Sequence, residues 1–425
     1  MNGELVKGWS QANCSVDLPM LSATIPDRWE KEICNEYYDD INYNSSANVI
    51  ILAAMTVDIK HAFNIMKSFK NQGKKVIFGG HQDSFSPTIL SNVSDSYYIG
   101  TPSKEQMNSL LNDALHDTLR KIYNFGINID FPFDYSFYKR KKVRYIQILS
   151  SLGCIYNCDY CWHQLSYGGG VKLRNINHVL SDLKALKGIT RYFAFRDPNF
   201  YNKRSHTLEL CDNIKNENFN FRWGAQCPIV IGRDDELLDK MFQAGCRLLF
   251  IGFESLDNRN LKSVNKPFDA NQYKSLALNI RRHGINVAGY FMFGFDFDKN
   301  ESYDKVYQFI NEAKISLPVL NILTPVPGTK LFERMMDEKR IDYPDASTYL
   351  DSDFIYSIPC NKCYFIHPTM SKSAIENNFI KLHKKLTTYP EIIGRTIKMN
   401  PESFMLFKMN LDLRKDRKKM ELAIH

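Results

Sequence analysis

The chain has 425 residues, 44% of them hydrophobic and 24% charged, and a formal net charge of +8 at pH 7. This is the composition of a globular protein of two or three domains, each large enough to bury a core without disulfides. No apolar run is long enough to span a bilayer and no leader precedes Met20, so the ten cysteines are expected to be thiols in a reducing cytoplasm.

The positive charge is dispersed except in two short runs, residues 139–144 and 413–419. The first is typical of the polar entry to a strand and the second of a solvated chain end. Neither a nucleic-acid partner nor a membrane partner is expected.

The first third of the chain alternates between strand and helix patterns. Apolar runs ending in glycine predict strands, and amphipathic stretches between them predict helices, over residues 48–54, 58–72, 75–78, 96–99 and 103–119. Such alternation favours a doubly wound, Rossmann-like parallel sheet, whose carboxyl edge is the usual place for a cofactor.

Three closely spaced cysteines follow an apolar strand pattern at residues 142–149. Cys154, Cys158 and Cys161 have the spacing to hold three irons of a cubane cluster and leave the fourth iron open. Because a structural zinc site or cluster closes its shell with four protein ligands, this triplet predicts a metal centre that binds a substrate or cofactor.

Six further strand patterns, each followed by a stretch of helix length, occupy the middle of the chain. They lie at residues 143–150, 190–196, 220–226, 247–253, 287–294 and 318–324. Their apolar character and short spacing predict a parallel sheet curved into a partial TIM-type barrel. Beyond Leu331 the strand patterns stop, and helices at about 371–387 and beyond predict a small helical cap.

The cysteine spacing, the preceding Gly153 and the surrounding aromatic residues closely resemble the radical S-adenosylmethionine superfamily. The segments 196–200, 251–255, 290–296 and 323–329 are similar to that family's strand motifs. The resemblance implies a [4Fe-4S] cluster whose open iron binds S-adenosylmethionine and cleaves it to a 5′-deoxyadenosyl radical.

Polar or glycine residues at the ends of the predicted barrel strands are the candidates for binding S-adenosylmethionine. This molecule presents an ammonium, a carboxylate, two ribose hydroxyls and an adenine, which suit carboxylates, amides, an aromatic ring and open backbone. The candidates are Tyr156, Asp197, Asn199, Gln226, Glu254, Ser255 and Gly294.

A second resemblance covers the first third of the chain, where segments 51–56, 79–87, 94–95 and 99–100 are similar to cobalamin-binding domains fused to such enzymes. Glycines let backbone approach a flat macrocycle, and short hydroxyls suit its amide groups. The resemblance implies cobalamin contacts from Thr56, Gly79, Gly80, His81, Gln82, Ser84, Gly100 and Pro325.

One feature of free-standing cobalamin carriers is missing from the sequence. They often present an Asp-x-His-x-x-Gly segment, whereas His61 here has a different spacing and His81 directly follows the glycine pair. The resemblance therefore implies cobalamin without a histidine ligand, and the residue at its lower face stays open.

The preferred prediction is a cobalamin-dependent radical S-adenosylmethionine enzyme that methylates an unactivated carbon of a small molecule or peptide. The predicted domains are residues 1–135 for cobalamin, 136–335 for the cluster barrel and 336–425 for the helical cap. An external electron donor such as flavodoxin or ferredoxin is implied, and no catalytic side chain is assigned.

Two alternatives stay open. One keeps both cofactors but uses the radical for a rearrangement or cyclisation. The other is a non-catalytic iron–sulfur or nucleic-acid-binding protein, whose cluster is closed by a fourth ligand such as His163 or Cys360. The pair Cys360 and Cys363, with His367 nearby, is also an open candidate for a second metal site.

Overall fold

The computed structural model of the chain describes residues 16–54, 59–80, 93–161, 163, 170–342, 362–396 and 401–422. Two parallel sheets organise this part of the chain, one before residue 125 and one after residue 145. No helix in the described ranges combines the length and apolar character needed to cross a membrane.

The first sheet has four parallel strands arranged in chain order. They are β1 (Val49–Leu52), β2 (Lys75–Gly80), β3 (Ser96–Ile99) and β4 (Ile122–Asn124). Successive side chains of a strand point to opposite faces, and each face carries its own apolar cluster. Helices α1 (Asp17–Thr24) and α3 (Lys104–Leu115) cover one face, and α2 (Ile59–Lys70) covers the other.

The cysteine-containing loop lies in a two-stranded antiparallel ribbon next to the second sheet. After β5 (Ile146–Ile148), the chain forms β6 (Ser151–Gly153) and β7 (Val171–Leu173), which pair with each other. A Cβ on Gly153, whose φ is +87°, would lie 2.1 Å from the carbonyl oxygen of Gly170. Glycine before the first cysteine is therefore required by the pairing of these two strands.

The second sheet has six parallel strands in the spatial order β12-β11-β10-β9-β8-β5. The strands after β7 are β8 (Tyr192–Phe195), β9 (Arg222–Cys227), β10 (Cys246–Glu254), β11 (Asn286–Phe293) and β12 (Leu317–Ile322). The helices between and after them are α4 (Ile176–Leu186), α5 (Arg204–Asn216), α6 (Asp235–Gln243), α7 (Asn258–Ser263), α8 (Tyr273–Arg282), α9 (Asn300–Glu312) and α10 (Lys330–Asp337).

The two faces of this sheet differ. Side chains on the outer face, such as Phe193, Ile251 and Phe291, are buried in one large core together with the helices. The inner face carries the alternate residues, among them Gln226 and Tyr290, which are only half-buried. The predicted α/β architecture with parallel sheets is confirmed, whereas the closure into a partial barrel and the three domain boundaries stay predictions.

Three helices end the described chain: α11 (Lys372–Leu386), α12 (Tyr389–Thr396) and α13 (Pro401–Leu422). Helix α13 lies against the inner face near the amino ends of the strands, where Leu406 packs with Leu248, Ala288 and Leu317. Glu402 adds ion pairs to Arg222 and Arg247, at 3.2 and 3.6 Å. The last helix thus closes one end of the inner face.

Candidate active site at the cysteine loop

The cysteine loop, residues 154–161, is fixed at both ends by hydrogen bonds to neighbouring elements. Asn202 accepts from the backbone N–H of Ile155 at 3.2 Å and donates to the carbonyl of Gly153 at 3.0 Å. Further along, the N–H of Asp159 donates to Val264 O and its carbonyl accepts from the N–H of Leu331, both at 3.0 Å. The loop is therefore held by segments that follow β8, β10 and β12.

The three thiols of this loop are free and partly buried. Burial raises the pKa of each, to about 11 for Cys161, whose thiolate form Cys158 and Cys154 also disfavour. The ammonium of Lys266 lowers the pKa of all three. The thiolates lie close enough to repel one another, and a bound cation would remove that repulsion.

An amide donor lies beside one thiol of the cysteine loop. In the described ranges no three His, Cys, Asp or Glu side chains converge as ligands of one metal ion do. Asn199, which is 2% exposed, lies beside Cys154, lowers the pKa of that thiol, and has no other acceptor for its Nδ2 among the described residues. An amide donor beside a thiol would suit a thiolate-bound cluster.

A buried ion pair lies next to the thiols at the end of β10. Lys266 Nζ is 3.0 Å from Glu254 Oε1 and 3.1 Å from the hydroxyl of Tyr160, which donates to the same carboxylate at 3.3 Å. Glu254 has φ +61°, and its side chain folds back over Gly252, where a Cβ would lie 2.3 Å from Oε1. Strained backbone with a buried charge pair is typical of functional sites.

Asp197, which follows β8, is fully buried and its carboxylate is shared among serine donors. It accepts from the N–H and hydroxyl of Ser150 at 2.8 and 2.6 Å, and from the hydroxyl of Ser151 at 2.7 Å. These bonds tie β8 to the start of the ribbon that carries the cysteines. Asp197 therefore lies beneath the cysteine loop and fixes the start of the ribbon that carries it.

Tyr156 and Gln226 occupy different parts of the site. The ring of Tyr156 meets that of Phe268 edge-on at 5.0 Å, beside a cleft of about 440 Å³ that Arg233 and Lys266 also line. Gln226 points to the inner face of the sheet, and its amide group makes no hydrogen bond to another described residue.

Ser255 and Gly294, the two remaining candidates, belong to one buried hydrogen-bond network. Asn260 donates to Ser255 Oγ at 3.0 Å and to Asp298 Oδ1 at 2.9 Å. Asp298 Oδ2 in turn accepts from the backbone N–H of Gly294 at 2.8 Å. The network locks together the loops that follow β10 and β11.

Gly294 has a backbone conformation and surroundings that only glycine tolerates. Its φ is +102°, and an added Cβ would lie 2.7 Å from the buried ring of Phe365. We expect Gly294→Ala to lower the free energy of unfolding by about 3 kcal/mol, since left-handed strain and overpacking add. Thermal unfolding measures this loss.

Gly188→Ala is the matched control for Gly294→Ala. Gly188 has φ +85° but no atom within 4 Å of its added Cβ. Gly188→Ala is expected to lower the free energy of unfolding by only about 1 kcal/mol, because it adds left-handed strain without overpacking. Equal losses in the two variants would contradict the packing argument.

The network also predicts a pH dependence of stability. Burial raises the pKa of Asp298 from 3.8 to about 6, although the N–H groups of Gly294 and Phe295 lower it. The folded protein therefore holds a proton that the unfolded chain releases between those values. The contribution of Asp298 to the free energy of unfolding is largest below about pH 4 and is lost as the pH rises through about 6.

Urea unfolding across this pH window tests the assignment. Asp298→Asn is expected to flatten the fall in unfolding free energy between about pH 4 and pH 6. Asp304→Asn, an exposed position on α9, should leave the slope unchanged. An unchanged slope in Asp298→Asn would show that another group titrates there.

The cobalamin candidates are only partly within the described residues. Thr56, His81, Gln82 and Ser84 lie outside them, and of Gly80 only the backbone is described. The other two glycines make room for protein atoms, because a Cβ on Gly79 would strike the ring of Tyr98 and one on Gly100 the carbonyl of Gly126.

Pro325 lies in the loop after β12, on the second sheet. His61 lies on α2, where its Nε2 contacts Glu36 Oε1 at 2.7 Å. The residue at the lower face of a corrin therefore stays open.

The second cysteine pair can be judged from one member, since Cys360 lies outside the described residues. Cys363 is buried, its thiol contacts the carbonyl of Phe365, and burial raises its pKa to about 11. Both nitrogens of His367 are engaged by backbone, Nε2 with Phe295 O at 2.8 Å and Nδ1 with the N–H groups of Thr369 and Met370. His367 thus supports the loop after β11.

Three residues near the thiols were not predicted from the sequence. Tyr160 and Lys266 complete the Glu254 network, and Arg196 lies on the inner face with charge effects on His163 and Tyr290. Tyr160 directly precedes the third cysteine, so its position was a usable signal. No sequence signal pointed to Lys266, because it is the path of the loop after α7 that returns this residue to the end of β10.

Comparisons with known proteins point to one superfamily. Residues 148–310 match the model of the Radical SAM superfamily. Bacteriochlorophyllide d C-12(1)-methyltransferase of Chlorobaculum tepidum is 29% identical, with 87% of this chain and 82% of that protein covered. The C-8(2)-methyltransferase of the same organism is 24% identical, with 91% and 88% covered.

The fold is shared with a solved radical S-adenosylmethionine methyltransferase, TsrM from Kitasatospora setae, whose structure has cobalamin and a [4Fe-4S] cluster bound. The TM-score is 0.63 at 14% identity, and the match covers 88% of this chain and 89% of that one. The match therefore extends over both parallel sheets.

Proposed function

We infer that this chain, which carries a radical S-adenosylmethionine domain, is a cobalamin-dependent enzyme that methylates an unactivated carbon of a small molecule or peptide. The observation that carries the inference is the combination, in one chain, of the cysteine loop with a buried Glu–Lys pair and a four-stranded parallel sheet before it. Two relatives that match this chain over more than 80% of both proteins are named as methyltransferases.

The cofactors supply the difficult chemistry. When bound, the cluster and S-adenosylmethionine provide a radical that removes a substrate hydrogen, and cobalamin provides the methyl group. The protein holds these groups in line and excludes water. We propose Cys154, Cys158 and Cys161 as the cluster ligands, with Asn199 donating to the sulfur of Cys154.

The charged pair beside the cluster suits the amino-acid end of S-adenosylmethionine. We propose that Lys266 binds its carboxylate, because Lys266 is the cation that acts on all three thiols. Glu254 would then accept from the ammonium or a ribose hydroxyl. The ion pair between Glu254 and Lys266 would be replaced by one ion pair from each of these residues to the ligand. The buried site would then keep its charge balance.

The other candidate contacts remain proposals. For S-adenosylmethionine we propose Tyr156 and Gln226 as direct contacts, and Asp197, Ser255 and Gly294 as supports of the loops that enclose it. For cobalamin we propose the carboxyl edge of the first sheet, where Gly80 ends β2 and Gly100 follows β3, since ligands of open parallel sheets bind beyond the carboxyl ends of the strands. Pro325 would face the same cofactor from the second sheet.

Turnover requires an electron from outside the chain. We propose that a small redox protein such as flavodoxin or ferredoxin delivers it in a reducing cytoplasm, where the thiols of the cysteine loop stay available for iron.

The test uses anaerobically purified protein reconstituted with iron, sulfide and hydroxocobalamin. Given S-adenosylmethionine and a reductant, it is expected to form 5′-deoxyadenosine and, only when hydroxocobalamin was supplied, S-adenosylhomocysteine. Formation of 5′-deoxyadenosine alone would favour a non-methylating radical enzyme. Absence of both products would overturn the proposed function.

A further inference from the structure

The inner face of the second sheet, between helix α13 and the end at which the thiols lie, is called the chamber below. Its side chains alternate with the fully buried outer residues, yet several of them are only half-buried. Five half-buried side chains of this face are Arg196, Gln226, Phe250, Tyr290 and Asn321. Helix α13 closes the chamber at the amino ends of the strands, through Leu406. Among the described residues, α13 therefore covers one end of the chamber, and the thiols lie toward the other end.

Arg196 lies on this face because Phe195, its neighbour in β8, faces the outer core. The register pairs Phe195 with Ala225, which brings Arg196 next to Gln226 on the adjoining strand. Its positive charge also reaches the hydroxyl of Tyr290, two strands further on. The guanidinium is thus directed across the chamber.

The guanidinium of Arg196 makes no ion pair and donates no hydrogen bond to any described residue. The other cations of this face differ, since Arg222 and Arg247 contact Glu402 and Lys266 contacts Glu254. A half-buried arginine without a counter-charge is costly unless a ligand supplies the anion.

The rest of the chamber offers aromatic surface and free amides. The rings of Phe250 and Tyr290 lie 6.4 Å apart, at an angle of 51°. The side-chain amides of Gln226 and Asn321 have no hydrogen-bond partner among the described residues. The surroundings fit a ligand with an apolar body and one anionic end.

We propose that Arg196 binds a carboxylate of the substrate, so that the substrate is an organic acid whose apolar body packs on Phe250 and Tyr290. This inference rests on the proposed function, which places the reacting carbon at the end of the chamber toward the thiols. The planar guanidinium matches a carboxylate in two parallel hydrogen bonds. A single cation flanked by neutral amides suits one negative charge better than the two of a phosphate.

The experiment compares 2-naphthoate with 2-naphthamide and naphthyl phosphate by isothermal titration calorimetry. It uses protein loaded with cluster, cobalamin and S-adenosylmethionine. The wild type is expected to bind naphthoate about tenfold more tightly than naphthamide, the usual size of a charge-assisted hydrogen bond. Arg196→Gln should bind the two equally, and Arg196→Lys should keep part of the preference.

Arg191→Gln is the matched control, because Arg191 is exposed just before the same strand. It should keep the full preference. The inference is overturned if the wild type shows no preference, if Arg196→Gln retains it, or if naphthyl phosphate binds best. It is also overturned if Arg196→Gln weakens S-adenosylmethionine binding instead.

The same preparations separate this inference from the proposed function. Cobalamin-dependent formation of S-adenosylhomocysteine is measured without any acid. If S-adenosylhomocysteine does not form while naphthoate is still preferred, only the proposed function fails. If S-adenosylhomocysteine forms but naphthoate is not preferred, only the proposed role of Arg196 fails.

Discussion

Replacing Cys158 with alanine is expected to reduce 5′-deoxyadenosine formation to the background of protein-free controls. The thiol lies in the middle of the cysteine loop, within reach of Lys266, Tyr160 and the other two thiols. With only two thiolates left, one more iron of the cluster has no protein ligand. The open iron that would bind S-adenosylmethionine is then no longer held in place. Iron and sulfide content should fall together with activity.

Two other cysteines serve as controls for Cys158→Ala. Cys34 is exposed and far from the loop in sequence, and Cys246 is fully buried at the start of β10. Alanine at either position should leave iron content and 5′-deoxyadenosine formation unchanged, although Cys246→Ala costs some stability. A Cys158→Ala protein that keeps both cluster and activity would exclude the proposed ligand set.

Much of the fold could be predicted because parallel strands covered on their outer face read as apolar runs. The run 247–253 predicted β10, which spans Cys246–Glu254. Strand β4 was missed, since only Tyr123 of its three residues is buried and the segment has almost no pattern. Helices beyond residue 387 were predicted without bounds. The packing of α13 could not be predicted, because charged residues occupy most of its second half and the sheet determines what it packs against.

The site was less predictable than the fold, because spacing identifies strand ends but not the partners of their side chains. Asp197 and Glu254 follow their strands in the same way, yet the first is satisfied by two serines and the second by a lysine. Those partners lie 46–47 and 12 positions away along the chain. Arg196 was overlooked because only the sheet register shows which face it occupies.

Removing the ammonium of Lys266 is expected to have two separable effects. In Lys266→Met the carboxylate of Glu254 stays buried without its counter-charge, which should lower the free energy of unfolding by about 3 kcal/mol. The same variant should bind S-adenosylmethionine at least about tenfold more weakly, since a charge-assisted contact to its carboxylate is lost. Chemical unfolding and equilibrium dialysis measure the two effects.

The double variant Glu254→Gln with Lys266→Met distinguishes a structural ion pair from a binding site. Both charges are then absent, so most of the lost stability should return, because a neutral pair carries no buried-charge penalty. Affinity for S-adenosylmethionine should not return, since neither group remains to meet its ammonium and carboxylate. If affinity recovers together with stability, the Glu254–Lys266 pair only shapes the strand end, and the amino-acid end of the cofactor must bind elsewhere around the cysteine loop.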